Sequence, residues 1–169
     1  MLNFIKANCI FLASALVLYS CTQESKVKSI ALDAAEKYFA ADLTQESAKV
    51  IHGKETYKIN YVSTIKNKTQ LEVTDVHIAG DVATASVLVQ TVHDPARIAL
   101  MEIIEKQKNE NSFVLNLSNA LNLIYTQLKF KQDSFASKIY QIQLKSIQDD
   151  WKAISYTVQT AKTDPSEAQ

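Results

Sequence analysis

The chain has 169 residues, 47% apolar and 21% charged, an ordinary globular composition that supplies one hydrophobic core and not clearly two. Eighteen basic residues balance eighteen acidic ones, which excludes the basic stripe of a nucleic-acid-binding protein. Its two glycines, Gly53 and Gly80, stand alone. A phosphate-cradling loop needs clustered glycines for close backbone approach, so nucleotide-binding motifs are excluded as well.

Residues 1–6 form a short leading segment whose single charge is Lys6. Residues 7–18 (ANCIFLASALVL) are an apolar run of 12, too short for the roughly 20 residues of a permanent membrane span and suited to a secretory signal. Leu18-Tyr19-Ser20-Cys21 follows and resembles the lipobox of bacterial lipoproteins, with an aliphatic residue at −3, a small one at −1 and then cysteine. The resemblance implies that the Cys21 thiol takes a diacylglyceryl group and that cleavage before Cys21 frees an amine for acylation. The alternatives are an uncleaved anchor, or a plain signal peptide with an incidental cysteine. The part from Cys21 onward would carry 17 basic and 18 acidic groups, because Lys6 alone is lost. It would contain no further cysteine, hence no disulfide and no thiolate metal site. Thr22, where an aspartate marks inner-membrane retention in such lipoproteins, favours the outer membrane if the host has one. Residues 21–26 read as the lipidated cysteine and a short tether, whose five-residue spacer 22–26 reaches about 17 Å extended.

Residues 25–42 read as a helix, with Val27, Ile30, Ala31, Ala34, Ala35, Tyr38 and Phe39 on one apolar stripe. Residues 43–52 read as a second short helix, with Thr44 as N-cap and Gly53 as its stop. The period then changes. Tyr57, Ile59, Tyr61 and Ile65 alternate with polar residues as in a half-buried strand. A second strand is expected over 69–79 and a third over 82–93, joined by Gly80-Asp81, whose leading glycine suits a type II′ hairpin. Ala83 and Ala85 share a face with Val87 and Val89, small side chains against which the first helix can pack closely. Asp94-Pro95 starts a helix to about residue 108. Residues 109–111 break it, and a longer helix spans 112–130. Two more strands, 139–147 and 151–159, are joined by 148–150, and 161–169 reads as a flexible tail.

These elements define an α+β domain over 27–160. A curved antiparallel sheet of about five strands packs on an N-terminal helix, with a two-helix insertion between strands 3 and 4. The leading helix 31–39 (ALDAAEKYF), the hairpin 76–89 (VHIAGDVATASVLV) and the closing Asp150-Trp151-Lys152 resemble the cone-shaped, cystatin-like domain of the nuclear-transport-factor-2-like superfamily, especially its small bacterial lipoproteins. Enzymes of that superfamily place an acidic or histidine base inside the cone. No residue here matches such a motif specifically, so none is carried over.

Among residues that could bear chemistry, His52, His77 and His93 are scattered and lack zinc-ligand spacing. Asp75 and His77 share a strand face; a solvent-facing polar pair beside a turn accounts for them better than acid–base chemistry does. The tyrosines and Trp151 at alternate strand positions read as core before they read as a pocket lining. The helix 112–130 carries more apolar residues than one face needs. Leu115, Leu123 and Tyr125 lie off its main stripe as a candidate interaction surface, with burial between the preceding helix and the sheet as the competing reading. No catalytic residue, metal or cofactor is expected. The chain therefore reads as an envelope-anchored lipoprotein, held to the membrane by lipid on Cys21. It would act as a non-enzymatic binding or interaction module for an envelope protein or small ligand. The alternative is a cone-fold enzyme or small-ligand carrier with an interior pocket.

Overall fold

The computed structural model describes residues 2–53, 55–107, 117–127, 135–148 and 150–160; for residues 2–21, 107 and 118 it describes the backbone alone. Helix α1 runs from Leu2 to Val50. Gly53 is the first glycine in the sequence and Pro95 the first proline, so nothing before residue 53 breaks the helical ladder. Three expectations change here. The separate helix over 43–52 is absent, because Thr44 donates its hydroxyl back to the Ala40 carbonyl at 2.8 Å instead of capping a new helix. The extended spacer over 22–26 is helical. The helix also continues back through the apolar run.

Helix α2 spans Glu55–Lys66, where a strand was expected. Tyr57, Tyr61 and Ile65 recur every four residues, a spacing that serves both a strand face and a helix face. Tyr61 and Ile65 are buried, while Ile59, which the strand reading placed beside them, is exposed. Among the described residues the sheet accordingly has four strands, β1 (Gln70–Ala79), β2 (Val82–Thr91), β3 (Ala136–Ile147) and β4 (Asp150–Thr160), in antiparallel order β1-β2-β3-β4. Helices α3 (Asp94–Gln107) and α4 (Leu117–Gln127) form the expected insertion, which falls between the second and third strands.

Ala79 pairs with Val82 across Gly80-Asp81, and Gly80 takes φ +65° while Asp81 stays at negative φ. That combination excludes a type I′ turn and fits the expected type II′. One sheet face is buried: Ala83, Ala85, Val87 and Val89 of β2 and Tyr140, Ile142 and Leu144 of β3 pack beneath Val27, Ala31, Ala35, Phe39 and Leu43 of α1. The two β2 alanines let helix and sheet approach closely, as expected. Trp151 of β4 closes one end of this core, its Nε1 donating to Gln23 Oε1 at 2.5 Å. At the other end Ala96, Leu100, Met101 and Ile104 of α3 and Leu121, Ile124 and Tyr125 of α4 complete it.

Candidate functional site

The polar side chains that the fold gathers lie where the later turns of α1 meet the start of α3 and the middle of β3. Asp42 and Glu46 are one helical turn apart on α1, on the same side as Phe39. Asp42 accepts two phenolic hydrogen bonds, from Tyr140 at 2.7 Å on Oδ2 and from Tyr156 at 2.9 Å on Oδ1. The rings stack in series. Tyr38 lies on Tyr156 with centroids 4.1 Å apart, Tyr156 lies 5.8 Å from Tyr140, and Phe39 meets Tyr140 edge-on.

Beside them lies Arg97, only 4% exposed. Its two terminal nitrogens reach Glu46 Oε2 at 3.1 Å and Asp94 Oδ1 at 2.6 Å. Lys138 of β3 approaches the same Asp94 oxygen at 3.6 Å. Pro95 follows Asp94 and presets the helical φ, so Asp94 and Arg97 fall on one turn of α3. The Arg97 Nε and the buried Tyr61 hydroxyl make no hydrogen bond among the described residues. Phe39, Asp42, Glu46, Lys49, Arg97, Lys138 and Tyr140 line an open cleft of about 280 Å³ over this cluster. A second, larger groove of about 360 Å³ runs along α2 beside Lys58, Ile59 and Lys66, without a buried polar side chain in its lining.

The electrostatics follow from these contacts. Burial pushes the Tyr140 phenol up, and its hydrogen bond and proximity to Asp42 push it further, since a phenolate beside a carboxylate is penalised. Tyr156 is raised first by its bond to Asp42 and then by burial. Tyr61 is raised by burial and by Glu46. Burial raises the Asp94 carboxyl, but Arg97 and Lys138 outweigh it and hold Asp94 below the ordinary carboxylate value. Asp42, Glu46 and Asp94 are therefore all engaged as acceptors.

Of the residues singled out from sequence, the tyrosines Tyr140 and Tyr156 belong to this cluster, and the other described ones fall elsewhere. The side chain of Cys21 and all of Leu115 lie outside the described residues. Leu123 is 57% exposed, whereas Tyr125 is 7% exposed and edge-on to His93, so Tyr125 does not belong to a surface. On an amphipathic helix the pair sits two residues apart, about 200° around the axis, which sends one outward when the other goes in. Asp75 and His77 stand exposed on the outer sheet face, opposite Ser86 and Thr84 of β2. Among the described residues, no group of three or more histidines, cysteines or carboxylates could hold a metal ion.

Asp42, Glu46, Arg97 and Lys138 were not apparent as a group in the sequence. One signal did point to them. Arg97 is the single arginine among 18 basic residues. A lone guanidinium in a lysine-rich chain marks a place where its planar fork is needed to hold carboxylates.

No protein-family model matches the chain. No curated protein matches it. Among solved structures it is similar to an uncharacterized protein with a cystatin-like fold from Caulobacter vibrioides, at 10% identity and a TM-score of 0.36, over 86% of this chain and 92% of the other.

Proposed function

We propose that this chain is an envelope-anchored lipoprotein that works as a non-enzymatic binding module, lipidated at Cys21 and taking its ligand at the cleft over Asp42 and Arg97. One observation carries the choice of binding over turnover: the carboxylates and phenols of the cluster are already committed. Asp42 holds two phenols, and Glu46 and Asp94 hold Arg97. A general base needs a free lone pair near the reacting proton and a pKa near the working pH. Phenols pushed up beside a carboxylate and carboxylates bound to a guanidinium are poor candidates, and they are well suited to holding a fixed shape. Lys49, Arg97 and Lys138 face the three carboxylates Asp42, Glu46 and Asp94, so the cluster is balanced in charge. The proposed ligand is a small molecule whose anionic group meets the Lys49 and Lys138 ammonium groups at the lining. The outer membrane is the favoured site if the host has one, and the domain is proposed to belong to the nuclear-transport-factor-2-like superfamily.

Titration calorimetry of the full chain with acetate, succinate and inorganic phosphate tests the cleft. Binding should be weakened by Lys49→Gln and Lys138→Gln and left alone by Lys58→Gln, which lies in the other groove. Equal affinity in all three variants would sink this assignment. A second reading, a small-ligand carrier or cone-fold enzyme, draws support from the Arg97 Nε and Tyr61 hydroxyl, which have hydrogen bonds to offer. Turnover of a bound anion would decide for the enzyme, and a ligand enclosed in the interior beneath the sheet rather than at the open cleft would decide for the carrier.

A further inference from the structure

We infer that the end of the domain carrying the Gly80-Asp81 and Gln148 turns is a face that rests on the lipid bilayer. The inference depends on Cys21 being the lipid anchor, as proposed above. Helix α1 passes through residues 21–26 without a break, and Gln23 is already bonded to Trp151 of β4. Each helical residue advances about 1.5 Å, so Cys21 lies only about 3 Å of axial rise from that contact. An extended spacer would let the domain swing freely; a helix packed from residue 23 leaves little slack. The end of the sheet nearest Trp151 is thereby held at the membrane, at high effective concentration.

That end is built from the tips of both hairpins, tied together where Ser146 N–H donates to the Asp81 carbonyl at 2.8 Å. Val82, Lys145 and Lys152 stand side by side in register across three strands. Ile147 lies two residues further toward the turn on the same face. Ile154 is the extra residue where β4 bulges between Ala153 and Ser155. Val82, Ile147 and Ile154 are 43%, 45% and 54% exposed. Among the described residues, the other exposed large apolar side chains, Ile59, Ile98, Leu123 and Val158, lie on α2, α3, α4 and the far part of β4. Aliphatic side chains interleaved with lysines match a bilayer interface: the apolar groups enter the headgroup boundary while the ammoniums stay among the phosphates. Asp81 and Asp150 offset the two lysines at the turns, so apolar contact rather than net charge dominates, and the docking should tolerate salt.

The test uses the full chain, purified from membranes and reconstituted in phosphatidylethanolamine–phosphatidylglycerol vesicles. Mass spectrometry first establishes whether Cys21 carries lipid. No cysteine follows Cys21, so Ile147→Cys or Leu123→Cys provides a single labelling site. Leu123 lies on α4, which packs near His93 at the opposite end of the sheet. A fluorophore at 147 should be quenched by nitroxide-labelled lipids severalfold more than one at 123, with little change in high salt. In the unsubstituted chain, vesicles should slow amide exchange at 80–82 and at 147–148. Equal quenching at both positions, or unchanged exchange at both turns, on a chain whose Cys21 is lipidated overturns the docking face and leaves the anchor standing. A chain recovered with Cys21 unmodified overturns both.

Discussion

The Tyr140 hydroxyl donates to Asp42 Oδ2 at 2.7 Å, joining the middle of β3 to α1 across 98 residues of sequence. Tyr156 makes the matching bond to the other oxygen, so one carboxylate ties the leading helix to both strands of the last hairpin. Asp42→Ala leaves the Tyr140 hydroxyl without its partner, and a stranded polar group of that kind costs about 1–3 kcal/mol. Asp42→Asn keeps one acceptor oxygen and should cost less. Urea unfolding of both variants measures this, and equal losses would show that the second phenolic bond contributes nothing.

Tyr61, Tyr125, Tyr140 and Tyr156 all have phenols raised above their ordinary value, chiefly by burial or, for Tyr156, by Asp42. A raised folded-state value favours the neutral form. The stability it contributes is therefore fully present below the unfolded value near 10.0 and is lost as pH rises above it. Spectrophotometric titration should show these tyrosines ionising late and together with loss of circular-dichroism signal. Smooth ionisation of every tyrosine near pH 10.0, with the fold intact, would contradict the arrangement.

Asp94 behaves in the opposite sense. Its carboxyl is held below the ordinary 3.8 by Arg97 and Lys138, against the effect of burial. The contribution is present above 3.8 and disappears as pH falls through the lower folded value. Asp94→Asn should flatten the acid limb of the stability profile, measured by thermal melts from neutral pH downward. Asp94 is half exposed, so solvent screening keeps the effect modest, about 1 kcal/mol or less. An acid limb as steep as in the unsubstituted chain would show that the Arg97 and Lys138 contacts do not control it.

Arg97 should not tolerate lysine. Arg97→Lys keeps the charge but cannot reach Glu46 and Asp94 with separate parallel nitrogens, and should cost about 1–3 kcal/mol. Chemical denaturation of this variant beside Lys138→Arg, which is partly exposed, provides the comparison. Indistinguishable midpoints for the two variants would remove Arg97 from its central place.

Leu123 and Tyr125 separate surface from core on the same helix. Leu123→Gln should leave the melting temperature nearly unchanged, because the side chain is already in water. Tyr125→Ala should cost about 3 kcal/mol, in the range for truncating a buried aromatic. Trp151→Ala belongs with it, at about 3–5 kcal/mol, since it removes core packing and the indole hydrogen bond to Gln23. Small losses at Tyr125 and Trp151 together would mean that neither end of the core is closed as described.

What the sequence determined by itself is local. The stripe from Val27 to Phe39, the Gly80-Asp81 hairpin with its small residues in β2, the Asp94-Pro95 helix start and the closing strand pair are each one continuous stretch of sequence, the longest running from Ala136 to Thr160. Periodicity and turn chemistry act over that range, and each of these elements formed where it was expected. The segment 55–66 went the other way because a spacing of four satisfies a period of two as well as a helical turn. Only packing of Tyr61 and Ile65 against the rest of the core distinguished them. The tertiary structure also decided the polar site. Asp42, Arg97 and Tyr140 are distant in sequence and ordinary in their local patterns. Their pairing arises because burying the apolar stripe of α1 on the sheet carries Asp42 and Glu46 to the foot of α3, where a buried guanidinium must find carboxylates.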